Sequence, residues 1–231
     1  RTSCGGGEDE TVGNLQNLPR KGDIRGCFVP RPGTYFCSSD YETAELRSWS
    51  QVLLDLVGRS TMAEEFRRGL DPHLAFAAEL LHISYEQAFA NRHSEDVQNK
   101  RQFSKISNFG FPGGLQPPGL VDYAKGYGIT IDLAFSRQLY ANWLAHYPEV
   151  KNYFGVIKAL SGGYGMGSTV KHHRTGFVRG NVSFTEAANH EFQHLTATGF
   201  KAALWDVTKE CYINEKSQLF GSRPVLAIHD E

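Results

Sequence analysis

The chain has 231 residues, 40% of them hydrophobic and 21% charged, enough to bury one sizeable core with a lobe inserted into it. Its 24 Lys and Arg are balanced by 25 Asp and Glu, so the net charge of −1 excludes a globally basic nucleic-acid binder and leaves only local patches. Four cysteines (Cys4, Cys27, Cys37, Cys211) without a C-x-x-C pair argue against a secreted disulfide scaffold, and no apolar run is long enough to cross a bilayer; a cytoplasmic location is expected.

The first stretch, to about Gly33, is rich in Gly, Asn and Pro and reads as loops around a short strand at Gly26–Val29. Thr34–Ser39 is β-prone and is expected to deliver Asp40 at its C-terminal end. From Glu42 the period changes: Leu46, Trp49, Leu53 and Leu56 recur at three- and four-residue spacing, which predicts a helix closed by Gly58. From Ser60 to Tyr153 apolar positions keep helical spacing, interrupted by Phe111–Gly119. Ser161–Gly167, with four glycines in seven residues, reads as a flexible connection. A last long helix is predicted over Thr185–Val207, and Pro224–Ile228 reads as a buried strand carrying His229, Asp230 and Glu231 at its tip. The chain starts at Arg1 rather than Met and stops directly after that apolar run, so it reads as a fragment.

Two carboxylates, Asp40 and Asp230, thus stand at expected strand ends on either side of a helical block. Carboxylates brought together in this way are hard oxygen ligands for divalent cations, and a pair of such ions suits phosphoryl transfer. A lone Asp at a strand end is more often a turn or cap residue, so the pair gains weight only from its surroundings. On a helix, Arg101, Lys105 and Phe109 are each four residues apart and share one face, two cations beside one aromatic ring. Without neighbouring motifs that face reads equally well as a solvated basic stripe.

Residues 40–47, Asp-Tyr-Glu-Thr-Ala-Glu-Leu-Arg, resemble motif A of family A DNA polymerases. Residues 101–110, Arg-Gln-Phe-Ser-Lys-Ile-Ser-Asn-Phe-Gly, resemble motif B, and His229-Asp230-Glu231 resembles motif C. Upstream, Asn14-Leu15-Gln16-Asn17-Leu18-Pro19 is similar to a further family segment, preceded by Arg1 where the family has a primer-contacting Arg; Asn189 and Gln193 match the Asn-x-x-x-Gln of a palm helix. The five segments occur in family order across nearly the whole chain.

The resemblance implies an α+β fold, a right-hand palm with a small antiparallel sheet and helices, an inserted mainly helical fingers subdomain, and no thumb. Palm is expected at 1–58 and 179–231, fingers at 59–178. By resemblance, Asp40 and Asp230, with the Tyr41 carbonyl and Glu231, hold two Mg2+ ions. Arg101, Lys105 and His73 bind the triphosphate, with Lys105 also stabilising the departing pyrophosphate. Glu45 excludes the ribose 2′-OH and Phe109 disfavours dideoxynucleotides. Arg1, Asn14, Gln16, Asn17, Asn189, Gln193 and His229 contact primer–template DNA. Single-subunit RNA polymerases share the two-Asp plan, but Glu45 and the Asn108-Phe109-Gly110 ending favour DNA synthesis.

There are two departures from the pattern. Motif B runs into Phe111-Pro112-Gly113-Gly114, so Gly113 stands where most relatives have a Tyr stacked near the templating base; this variant resembles some bacteriophage members and implies a phage polymerase. Gln193 is followed by His194, where the family usually has a small Gly. Two other readings compete. His190-Glu191-Phe192-Gln193-His194 is a formal H-E-x-x-H, which on a helix suits a zinc metallopeptidase with Glu210 or Glu215 as third ligand. The other is a non-catalytic DNA-binding remnant, the case in which the isolated chain is inactive.

Overall fold

The computed structural model describes residues 25–162, 167–225 and 227. After a 3-10 turn at Arg25–Cys27, nine helices and one hairpin are found among these residues. The helices are α1 (Ala44–Val57), α2 (Thr61–Arg67), α3 (Pro72–Leu80), α4 (Tyr85–Ala90), α5 (Glu95–Gly110), α6 (Pro117–Lys125), α7 (Leu133–His146), α8 (Val150–Leu160) and α9 (Phe184–Tyr212). Between α8 and α9, β1 (Ser168–Lys171) pairs antiparallel with β2 (Val178–Val182), with an irregularity between Ser168 and Val170.

Local chemistry sets the helix ends. Ser60, Asp71 and Asp132 accept a first-turn backbone N–H, and Ser84 with Gln87 forms a capping box. Gly58, at φ +81°, closes α1 where a side chain would strain the left-handed turn. Expectation and structure agree on α1, on the helical block from α2 to α8 and on α9, which is longer than its pattern indicated.

The strand expectations fail. Gly26 and Cys27 lie in the 3-10 turn, and residues 28–29 and 34–39 have no ladder partner among the described residues. Pro224, Val225 and Ala227 are exposed and belong to no strand. β-propensity needs a paired neighbouring strand to become structure. The small sheet is instead the β1–β2 hairpin, whose strands of four and five residues are too short for a period to register.

By packing, the chain parts into two compact units, one built from its two ends (to Ala44 and from Thr196) and one spanning Glu45–Leu195. The inner unit has an aromatic core. Leu46, Trp49 and Leu53 from α1 are buried, and Trp49 stacks on Trp143 of α7 at 5.7 Å between ring centroids, edge-on to Tyr147 at 6.0 Å. Phe111, just after α5, tilts against Trp143 at 5.3 Å. Truncating any of these rings would cost ~3–5 kcal/mol. The division between the units falls at Ala44–Glu45, at the start of α1, which gives its apolar face to this core. A smaller cluster, Leu74, Ala78, Ala88 and Val97, ties α4 to α3 and α5.

Candidate functional site

The motif B side chains stand on α5, whose neighbour α3 supplies the rest of the site. Asp71 caps α3 by accepting from the His73 N–H at 2.8 Å through Oδ1. Its other oxygen, Oδ2, accepts from Arg101 Nε at 2.9 Å and Nη2 at 2.8 Å. One carboxylate therefore starts α3 and aims the Arg101 guanidinium, a role no motif announced.

His73 is buried against Phe109, ring centroids 5.4 Å apart, and Nδ1 lies 3.2 Å from Asn108 Nδ2. Burial pushes the imidazole down to about 4; Arg101 and Lys105 push the same way and Asp71 opposes them. His73 is therefore a neutral imidazole at neutral pH. Thus α3 and α5 bring His73, Arg101, Lys105 and Phe109 together: two cations, of which Arg101 is held by Asp71, a neutral ring and an aromatic face. Such a constellation can hold a polyanion by its charges and a flat or sugar-like moiety by its ring.

Motif A enters through a strained turn. Thr43, β-branched, sits at φ +54°, and α1 follows at once. Glu45 lies half-buried in the first turn of α1, Leu46 is in the core, and the Arg47 guanidinium covers the Phe66 ring at 4.4 Å. In the other unit Asp40 is exposed, and the Tyr41 ring meets Phe200 edge-on at 6.3 Å. Arg1, Asn14, Gln16, Asn17, His229, Asp230 and Glu231 lie outside the described residues.

On α9, Gln193 is exposed and the Asn189 amide donates to the Thr185 carbonyl at 2.9 Å. That amide lies flat against Gly113: a Cβ there would meet Asn189 Nδ2 and Oδ1, both at 2.5 Å, and Cγ at 2.8 Å. The clash is the same whichever way the amide is turned. Gly114, at φ +83°, leaves its own Cβ position 2.8 Å from the Phe184 ring. Gly113 and Gly114 thus let the end of motif B seat directly on the first turns of α9.

A histidine cluster also forms here. His194, unexplained in the sequence, stacks on Phe177 of the hairpin turn (4.6 Å, 18°) and on His190 (5.4 Å). His173 reaches Glu191 through Nδ1 at 2.6 Å and Asp55 through Nε2 at 2.8 Å, and Asp55 also pairs with Arg174; burial pushes the Asp55 carboxyl up, but hydrogen bonds from Arg174, His173 and Gln51 prevail and lower it to about 2. Among the described residues three potential metal ligands converge at His172, His173 and Glu191, not at His190 and His194. His172 does not suit a metal. Its Nδ1 accepts the Thr175 N–H at 3.1 Å, so Nε2 carries the proton and donates to the Glu191 carbonyl at 2.8 Å. With no lone pair left there, the cluster is a clamp holding the hairpin to α1 and α9.

Among the described residues no helix is long and apolar enough to cross a membrane. The fold resembles a solved structure described as the POL domain of Pol1 from M. smegmatis in complex with DNA primer-template and dNTP, with a TM-score of 0.66 at 20% identity over 94% of this chain and 37% of that one. The chain is 29% identical to DNA polymerase I of Geobacillus stearothermophilus over 231 residues, and 30% identical to that of Lactococcus lactis subsp. lactis over 232. These alignments take in 94% of this chain and 24% of either relative, so the chain spans about a quarter of their length. A DNA polymerase of Mycobacterium phage D29 is 33% identical over 141 residues, 60% of this chain and 20% of the phage protein. A family model, DNA polymerase family A, matches residues 9–231, nearly the whole chain: the chain belongs to DNA polymerase family A.

Proposed function

We propose that this chain is the palm-and-fingers core of a DNA-templated DNA polymerase, adding deoxynucleotides to a primer 3′-OH in phage DNA replication within the cytoplasm of the host. Palm is assigned to 1–58 and 179–231, fingers to 59–178. The observation that carries the reading is the meeting of His73, Arg101, Lys105 and Phe109 on α3 and α5. Catalysis of phosphoryl transfer consists mainly of positioning and charge stabilisation, and these groups supply both.

Arg101 and Lys105 bind the triphosphate oxygens, and Lys105 neutralises charge on the departing pyrophosphate. His73 donates to a phosphate oxygen as a neutral ring. Phe109 packs against the sugar, and Glu45 fills the space a 2′-OH would need. Asp40, Asp230, Glu231 and the Tyr41 carbonyl are all hard oxygen donors, the set that fits Mg2+. When bound, a pair of such ions polarises the attacking hydroxyl and stabilises the leaving oxygen. Asn189 and Gln193, with Arg1, Asn14, Gln16, Asn17 and His229, line the minor groove, where base-pair acceptors vary little with sequence.

The test is Asp40→Ala in the complete natural protein, followed by primer extension and by fluorescence anisotropy on primer–template. Nucleotide addition should disappear while duplex affinity changes less than about threefold, since one exposed carboxylate contributes little to binding a polyanion. Extension at the wild-type rate would overturn the assignment.

A further inference from the structure

Asn108 is fully buried in α5, between His73 of α3 and Trp143 of α7. Trp143 Nε1–H is a donor only, and it donates to Asn108 Oδ1 at 2.9 Å. This contact turns the amide one way, so Nδ2 faces His73 Nδ1 at 3.2 Å and approaches the Pro72 carbonyl at 3.4 Å. An amide nitrogen can only donate, so His73 Nδ1 must accept, and the neutral ring must carry its proton on Nε2. The opposite amide orientation would set two N–H donors against each other at the buried indole.

We infer that Asn108, oriented by Trp143, is a positioning residue that fixes the His73 tautomer so that Nε2–H is the donor offered to a triphosphate oxygen. The inference rests on the proposed role of His73 as a phosphate contact. In the other tautomer Nε2 would present a lone pair to a phosphate oxygen, and an attraction would become a repulsion. The chain Trp143–Asn108–His73 thus links the aromatic core to the nucleotide site by two hydrogen bonds, without a charge.

Two-bond 1H–15N correlation spectra of the 15N-histidine-labelled protein read the tautomer directly, independently of any activity. His73 should show a protonated Nε2 and an unprotonated Nδ1. Trp143→Phe, which keeps an aromatic ring in the core, and Asn108→Leu should each shift these signals toward a tautomeric mixture. In primer extension both variants should raise the dNTP KM about fivefold, the scale of one neutral hydrogen bond, with primer–template Kd unchanged. In a His73→Ala background Asn108→Leu should add no further rise in KM, because its effect runs through the ring. A wild-type Nδ1–H tautomer, unchanged tautomer signals in both variants, or an equal KM rise without His73 would each overturn the inference. If the spectra come out as expected but the complete natural protein extends no primer, the tautomer inference stands and the polymerase reading with its phosphate contact falls.

Discussion

Replacing His146 with Gln tests the electrostatic centre of the inner unit. His146 ends α7, with Nε2 2.8 Å from Glu65 Oε1 on α2 and Nδ1 hydrogen-bonded to Glu79 on α3. Glu65 is 6% exposed, and its other oxygen accepts from Tyr147 Oη at 3.2 Å. With a carboxylate at each ring nitrogen, the imidazole gains from holding both protons; burial opposes this, but hydrogen bonding and attraction to Glu65 and Glu79 prevail and raise its pKa. Breaking a buried ion pair costs ~3–5 kcal/mol; because Glu79 is half-exposed and Tyr147 still serves Glu65, His146→Gln should cost about 2 kcal/mol near pH 6. A histidine whose pKa is raised by folding contributes stability that is fully present below the unfolded value near 6.5 and is lost as pH rises through the folded value. The gap between wild type and variant should therefore be widest at pH 6 and narrow by pH 9.5. Urea unfolding followed by tryptophan fluorescence suits the measurement, since Trp49 and Trp143 sit in the same core. An equal gap at both pH values would show that His146 acts by packing alone.

Two further outcomes follow from the site. Gly113→Ala should force the Asn189 amide off the Thr185 carbonyl and cost ~1–2 kcal/mol, and Asn189→Ser in the same chain should recover most of it; additive losses in thermal unfolding would refute the contact. Glu45→Ala should raise ribonucleotide incorporation about tenfold or more with little change in dNTP kcat, read from competitive dNTP and rNTP extension on one template, because a lost steric block acts only on the 2′-OH. Unchanged selectivity would remove Glu45 from the sugar site.

Much of the helical framework was legible in the sequence. The spacing of Leu46, Trp49 and Leu53 places α1, and steps of four align Arg101, Lys105 and Phe109 on α5, because a helix satisfies its backbone within itself and its faces follow from counting. The order of the motifs identified the family for the same reason: it is written along the chain. Strands were misread at 26–29 and 34–39 and missed at 168–182, since a strand is made by a partner that propensity does not name.

Only the tertiary structure decided what the site residues are in chemical terms. Asp71 aims Arg101 from 30 positions away, and the proton on His73 is dictated by Asn108, 35 positions along, which in turn answers to Trp143 another 35 beyond. His194, without a reason in one dimension, finds one against Phe177 of a hairpin that periodicity never revealed. The sequence alone determined which residues share a helix face and which family they belong to. Charge state, tautomer and side-chain aim depend on burial and on partners distant in the chain, so they came into being only when the chain was packed.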